Sequence, residues 1–286
     1  MHQLNFRSLK VADIDKMYQA FEEAFSDYTV HFKMTEKEFY GKFVEKLNIN
    51  FELSIGAFDK EKLVGFIFTS IAEYKGKYTA YNGGTGVIPQ YRGRHIPAKL
   101  YALLIPKLKD EHVKQCVLEV ITTNTKAIKA YARIGFAQSN YFHCFKLCNR
   151  MKGNRLAEEI KVIKADANDL EKFKEFADFE PSFLDSNLLL HKNLKNERVI
   201  VALAGAEIIG YAIYQHHGRI SQMSVAKHRR KQGIGSALIN FMDDATGGKQ
   251  LTILNIPKAE KDVMHFLEKM GFENQINQYE MVLAID

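Results

Sequence analysis

His228-Arg-Arg-Lys-Gln-Gly-Ile-Gly-Ser236 follows a short apolar alternation, Ile220-Ser-Gln-Met-Ser-Val225, and precedes a helical pattern in Leu238, Ile239, Phe241 and Met242. A strand that turns through a glycine-rich, cationic loop into a helix aims backbone N–H groups and a helix N-terminus at one place. That arrangement is an anion site, and more particularly a phosphate site. The spacing Arg230-x-x-Gly233-x-Gly235 is not that of a P-loop, because no Gly-Lys-Ser/Thr triplet follows, nor is it G-x-G-x-x-G.

Outward from this loop the chain repeats itself. In the first half an amphipathic helix is predicted over 12–25, with Asp13 at its N-cap, and a second over 35–47 with Phe39, Phe43 and Leu47 in register. Strands follow over 53–58, 62–71 and 79–88, the last running into Pro89-Gln-Tyr-Arg-Gly-Arg-His95. A helix over 96–109, a strand over 116–122, a helix over 124–134 closed by Gly135-Phe136 and a strand over 139–147 complete the set. The same order returns: Ala165–Phe173 echoes Leu9–Met17, Gly210-Tyr211 answers Gly65-Phe66, the loop at Arg230 answers that at Arg92, and Gly271-Phe272 answers Gly135-Phe136. The second member follows the first by 145 residues at Gly210, 138 at Arg230 and 136 at Gly271, so order is kept while loops shorten. A period this long means two domains of one fold rather than a solenoid. The expected division is 1–148 and 159–286, joined by a polar linker at 149–158. The implied class is α/β, a mixed sheet with helices on both faces, built twice.

Composition excludes several other classes. At 286 residues, 46% hydrophobic and 26% charged, the chain has the makeup of a globular protein with real cores. No apolar run approaches the roughly 20 residues that span a bilayer, and the N-terminus lacks a signal-peptide pattern, so no membrane role and a cytoplasmic location are expected. Cys116, Cys144 and Cys148 have no metal-ligand spacing with histidine, and no metal is expected. The net charge of +6 is scattered among acidic residues, which points to a phosphate-bearing small molecule at least as well as to nucleic acid, and no nucleic-acid partner is expected.

The loop resembles the pyrophosphate loop of the GNAT superfamily, the acyl-CoA-dependent N-acyltransferases, whose pattern is Gln/Arg-x-x-Gly-x-Gly/Ala. With the repeat, the resemblance covers nearly the whole chain and implies two tandem GNAT domains. It implies acetyl-CoA as co-substrate, held along a splay between the strand before the loop and the strand after its helix. In the second half the grip falls on Val225, Arg230, Lys231, Gln232, Gly233, Ile234, Gly235 and Ser236, with His228 and Arg229 adding charge. That half lacks the family's later asparagine and tyrosine, since Glu260 and Leu267 stand at those places. The first half keeps them as Asn124 and Tyr131, in Asn-x-x-Ala-Ile-x-x-Tyr-x-x-x-Gly-Phe, but its loop has His95 for a glycine and Pro97 where Gly235 stands. Its grip falls on Val87, Arg92, Gly93, Arg94 and Asn124.

The activity implied is transfer of an acetyl group to a primary amine by direct attack in a ternary complex, with Tyr131 protonating the departing thiolate. A non-catalytic acyl-CoA-binding or scaffold protein is the alternative. Glu119 is the candidate base on the strand after the loop helix; its counterpart, Asn255, has no basic group. Phe25–Tyr28 and Asp178–Phe183 combine aromatics and carboxylates, as a cationic acceptor requires. Whether that acceptor is a small molecule or a peptide, and the oligomeric state, stay open at this level.

Overall fold

The structure is a computed structural model that describes residues 3–27, 34–150, 156–166, 173 and 175–285. Tyr28, residues 151–155 of the expected linker and most of the echo at 165–173 lie outside the described residues. The chain forms two compact units, one of Met1–Ser139 with Glu280–Asp286, the other of Asn140–Tyr279.

In the first unit β1 (Asn5–Ser8) leads through a 3-10 turn into α1 (Ile14–Phe25). Asp13 stands at the N-cap of α1, as the sequence suggests, but its side chain makes no capping bond to that helix. Its Oδ2 accepts instead from the Lys10 N–H at 2.9 Å, closing the preceding 3-10 turn, and both its oxygens take Arg7, at 2.7 and 2.9 Å. The Arg7 guanidinium holds this carboxyl below the usual carboxylate range. α2 (Glu36–Phe39) starts on a capping box, with Thr35 Oγ1 accepting from the Glu38 N–H and Glu38 from the Thr35 N–H, and continues as a π-helix over Tyr40–Lys46. Phe39, Phe43 and Leu47 are all buried, as their spacing predicts. β2 (Ile55–Asp59), β3 (Lys62–Tyr74) and β4 (Lys77–Val87) make an antiparallel meander; α3 (Ile96–Asp110) then crosses to β5 (Gln115–Ile121), parallel to β4, and α4 (Thr125–Ile134) follows.

The second unit repeats this with β7 (Ile160–Ala165), a short α5 (Asn187–Lys192), β8 (Glu197–Ala204), β9 (Glu207–Gln215), β10 (Arg219–Val225), α6 (Ile234–Ala245), β11 (Thr252–Pro257) and α7 (Lys261–Lys269). Strands β7 to β10 are antiparallel neighbours and β11 is parallel to β10. Leu238, Ile239 and Met242 of α6 enter a core with Ile200, Ile209 and Leu251.

The strands that close each unit are exchanged. β6 (Ala137–Leu147) follows α4 in the chain, yet Phe142–Lys146 pairs with β11, and Phe145 and Leu147 enter the core of the second unit. The last strand, β12 (Phe272–Ala284), lies beside β6 through its first part, and its end from Glu280 onward belongs to the first unit beside β5. There the buried Glu280 carboxylate accepts from Tyr74 Oη at 2.9 Å and Ser139 Oγ at 2.8 Å, with Lys75 Nζ at 3.3 Å.

Replacing Glu280 with alanine removes the buried acceptor that Tyr74, Ser139 and Lys75 share, and a loss of about 1–3 kcal/mol is expected. Urea denaturation reads this, and an unchanged midpoint would mean that the bonds to Glu280 add nothing to stability. A second expectation concerns acid. Because the Asp13 pKa is lowered in the folded state, its contribution is complete above the unfolded carboxylate range of about 4 and is lost as pH falls through the lowered value. Asp13→Asn therefore gives a melting temperature that depends less on pH on the acid side than that of the wild type.

Candidate functional site

In each unit the two parallel strands stop pairing soon after they meet. β4 and β5 pair only at Thr79–Gln115, Ala80–Cys116 and Tyr81–Val117; β10 and β11 pair only at Arg219–Thr252 and Ile220–Ile253. Beyond these points the strands diverge and leave a splay, and each pre-loop strand carries a bulge there, at Gly83 in β4 and Ser221 in β10.

Both splays run into a loop of one backbone conformation. Ile88 N–H donates to Val64 O at 3.1 Å, and Ala226 N–H donates to Ile209 O at 2.9 Å. A 3-10 turn follows in each, Pro89–Tyr91 or Lys227–Arg229, and then two left-handed residues separated by one. These are Gly93 (φ 78°) and His95 (φ 57°) in the first unit, Lys231 (φ 64°) and Gly233 (φ 83°) in the second. Each loop thus places glycine at one left-handed position and a side-chain-bearing residue at the other. The departure from the loop pattern at His95, and the left-handed Lys231, are therefore borne by local strain, of order 1–2 kcal/mol each, and not by a change of path. His95 and Gly233 are the N-caps of α3 and α6, so the first N–H groups of both helices face the same side of their loops.

Two further contacts hold the loops. The first helical residue, Ile96 or Ile234, is buried against a glycine of the hairpin: a Cβ on Gly65 would lie 2.7 Å from Ile96 Cγ2, and one on Gly210 3.3 Å from Ile234 Cγ2. This explains why Gly65 and Gly210 recur. The loop arginines also turn inward. Arg92 Nε donates to Val87 O at 3.1 Å and its guanidinium grips Asp27 at 2.6 and 2.8 Å; Arg230 Nε donates to Val225 O at 3.1 Å and its Nη2 lies 2.6 Å from Asp178 Oδ1. Arg92 holds the Asp27 carboxyl below its usual range.

This duplicated splay and loop agree with family comparisons. The model for the acetyltransferase (GNAT) family matches residues 14–136, and that for an acetyltransferase (GNAT) domain matches residues 195–274. The chain belongs to the GNAT family, with two domains in tandem. It is similar to the N-alpha-acetyltransferase MAK3 of Arabidopsis thaliana, 30% identical over 105 residues, which cover 37% of this chain and 55% of that relative. A tandem GNAT protein from the clavulanic acid biosynthesis pathway has the same fold at 12% identity, with a TM-score of 0.77 and 99% of both chains covered. So does a GCN5-related N-acetyltransferase from Sphaerobacter thermophilus, at 13% identity and a TM-score of 0.76, covering 99% of this chain and 96% of that one.

The residues singled out from sequence fall around the two splays as follows. Glu119 stands on β5 two residues beyond the last pair, half-buried, and accepts a hydrogen bond from the Tyr81 hydroxyl. Tyr131 lies buried on α4, its ring edge-on to Tyr101 at 6.5 Å and Phe136 at 5.6 Å. The Tyr101 hydroxyl in turn accepts from Asn82 Nδ2 at 2.7 Å, on the first β4 residue past the last pair. Asn124 is the N-cap of α4, its Oδ1 accepting from the Ala127 N–H at 3.1 Å. Arg94 stacks over Tyr91 at 4.7 Å, and Gly93 is open, with nothing within 4 Å of where a Cβ would stand. In the second unit Lys231 and Gln232 are exposed, Ser236 sits in the first turn of α6, and Arg229 and His228 flank Glu207 at 3.2 and 3.5 Å. Asn255, opposite Glu119 in the repeat, donates to Ser182 Oγ at 3.1 Å. Of the carboxylates in the two segments read as acceptor-facing, Asp27 and Asp178 are engaged by the loop arginines, and Glu180 is exposed.

Sequence reading missed Tyr81, Asn82 and Tyr101, because what unites them is the end of strand pairing, which leaves no local pattern. Burial pushes the Cys116 thiol up to about 12 and Tyr101 well above the ordinary tyrosine range, so neither ionises near neutrality. Among the described residues no cluster of His, Cys, Asp and Glu has the makeup of a metal site, and no helix is long and apolar enough to cross a membrane.

His95→Gly relieves a left-handed side chain at an exposed position. A gain of a few tenths to about 1 kcal/mol is expected, since glycine also enlarges the entropy of the unfolded chain. A loss of stability in thermal melting would mean that the imidazole makes a contact worth more than the strain.

Proposed function

We propose that this chain is an N-acetyltransferase that moves an acetyl group from acetyl-CoA to a primary amine in a ternary complex, with the transfer carried by the first unit. The observation that supports the reading best is the first splay: diverging strands, a bulge at Gly83, a helix-opening loop of left-handed residues, and a Tyr81–Glu119 pair just past the last strand pairing. The residues present fit the cofactor. Gly93 brings bare backbone to the loop surface, and the unpaired N–H groups of the first turn of α3 suit a pyrophosphate, with Arg94 beside them and Pro97 at a position where an N–H is dispensable. In this reading Val87, at the end of β4, and Asn124, at the N-cap of α4, flank the cofactor's arm, while Arg92 acts as a clamp that holds the loop to the strand end.

Acetyl-CoA, when bound, supplies an acetyl thioester whose sulfur leaves as a thiolate. Glu119 takes the amine's proton on a carboxylate oxygen while Tyr81 holds the other oxygen in place. Tyr131 holds its phenolic proton ready for the departing sulfur. A thiol with a pKa near 8.5 is a good leaving group, so this acid adds to the rate without being indispensable. The acceptor is an amine on a small molecule or a peptide N-terminus. The latter is what the name of the Arabidopsis relative describes for that protein.

For the second unit the non-catalytic reading is favoured by Leu267 and Asn255 at the places of Tyr131 and Glu119.

The test is acetyl-CoA turnover across a panel of amines and short peptides. Tyr131→Phe is expected to lower kcat tenfold or more with little change in KM, and Glu119→Gln to lower kcat and flatten its rise with pH. No turnover by the wild type on any acceptor, or kcat unchanged in both variants, removes the first unit as the catalytic one.

A further inference from the structure

The residue just past the last pairing of β4 with β5 carries a buried amide, Asn82. It lies where β4 bulges, with Thr69 opposite Asn82 and Phe68 opposite Gly84, so that Gly83 is the extra residue. In a regular strand residues three apart point to opposite faces. The extra residue brings Asn82 and Thr85 to one face instead, and Asn82 Nδ2 donates to Thr85 Oγ1 at 2.8 Å. Its Oδ1 accepts from the Gly84 N–H at 3.0 Å, and Nδ2 also donates to the Tyr101 hydroxyl of α3 at 2.7 Å. One side chain thus brackets the bulge and ties it to the helix that the loop opens. On the other face Leu47 fills the space that a Cβ on Gly83 would need, and a Cβ on Gly84 would lie 3.7 Å from Phe43 Cε1.

The second unit shows that the fold itself does not require this bracket. The offset of 138 that relates the two loops sets Ile220 at the place of Asn82 and Ile239 at that of Tyr101, and both are buried in the core of that unit. Its strand β10 bulges at the corresponding Ser221, whose Oγ donates to Glu197 Oε2 at 3.0 Å. The same place between strand and helix is therefore filled by two apolar side chains in one copy and by an amide and a hydroxyl in the other. Burying the polar pair gains folding little, because its hydrogen bonds replace bonds to water, whereas two isoleucines simply leave water. What the polar pair adds is direction. Three hydrogen bonds fix the amide, where two isoleucines fix only a volume.

That direction bears on the reaction. Tyr81, one residue earlier and on the opposite face, carries the hydrogen bond to Glu119, and the Tyr101 ring lies edge-on to Tyr131 at 6.5 Å. Asn82 therefore stands on the main chain between the proposed base and the ring against which the proposed acid rests. We infer that Asn82, backed by Tyr101, is a positioning residue of the first unit: it fixes the main chain at the bulge, and through it the Tyr81–Glu119 pair, without touching substrate. This rests on the acetyl-CoA reading above. A small rotation of that pair misaligns the base with the attacking amine, which lowers the rate and leaves the grip on the cofactor at the loop unchanged.

Steady-state kinetics on the full chain test it, with acetyl-CoA and the amine or peptide of the panel that the wild type turns over fastest. Calorimetry with CoA reads the grip separately, and thermal melting checks each variant. Asn82→Ala is expected to lower kcat roughly tenfold or more, with the KM for acetyl-CoA and the Kd for CoA within about twofold of wild type. Tyr101→Phe keeps the ring beside Tyr131 and removes only the hydroxyl, so a smaller loss in kcat, roughly threefold to tenfold, is expected with the same unchanged KM. The double variant is expected to be no slower than Asn82→Ala alone, because both act through one hydrogen bond. A folded Asn82→Ala with wild-type kcat, a loss that falls wholly on KM, or a double variant whose losses multiply each overturn the inference. Should Asn82→Ala not fold, Tyr101→Phe decides, and an unchanged kcat there overturns it. No turnover by the wild type on any acceptor is a distinct result, which defeats the functional reading and this inference with it.

Discussion

Two parallel strands that pair for only two or three residues and then part are the constraint on which everything else in each unit depends. A parallel ladder satisfies its main-chain groups along its length, and where it ends those groups must find other partners. The divergence creates the cleft, and the loop helix opens at its mouth. Each device described at the loops serves to keep that mouth in one shape. Ile96 and Ile234 seat on hairpin glycines, Arg92 and Arg230 tie the strand end to an aspartate, and the left-handed pair turns the chain into the helix. Rigid support of this kind is what a binding site on a loop requires.

The duplication separates backbone from chemistry. Both loops follow one path although neither has glycine at both left-handed positions, so the conformation is imposed by its anchors and merely eased by glycine. What differs is what hangs on the frame. The first copy retains a carboxylate braced by a tyrosine and a second tyrosine in an aromatic cluster. The second retains the glycine-rich turn, with Val263 and Leu267 lining its cleft and Phe266 packed on Gly235. Large apolar groups there add to the core of that unit.

Much of this was legible in the sequence, for identifiable reasons. Strands and helices are set by alternation and by 3.6-residue periodicity, both local, and Phe39, Phe43 and Leu47 are buried where that periodicity puts them. The loops were legible because glycine and charge between a strand and a helix have few other uses. The repeat was legible because order survives when loops shorten. Asp13 takes the N-cap position of α1 that the sequence gives it, but what its carboxylate binds was not legible, because Arg7, six residues earlier, and the Lys10 N–H take it.

The sequence by itself determined the family, the two copies, most of the elements and the positions of both loops, though not β1, β7 or α5. Only the tertiary structure decided which strand closes each unit, that the loop arginines are committed to Asp27 and Asp178, that Tyr81 braces Glu119, and that Phe266 stands over Gly235. Each of these joins residues distant in the chain, and their meeting depends on strand order and on where a ladder ends. A glycine in the sequence is silent about what approaches it. At Gly235 the loop pattern suggested a phosphate, and in the structure what approaches is a phenyl ring.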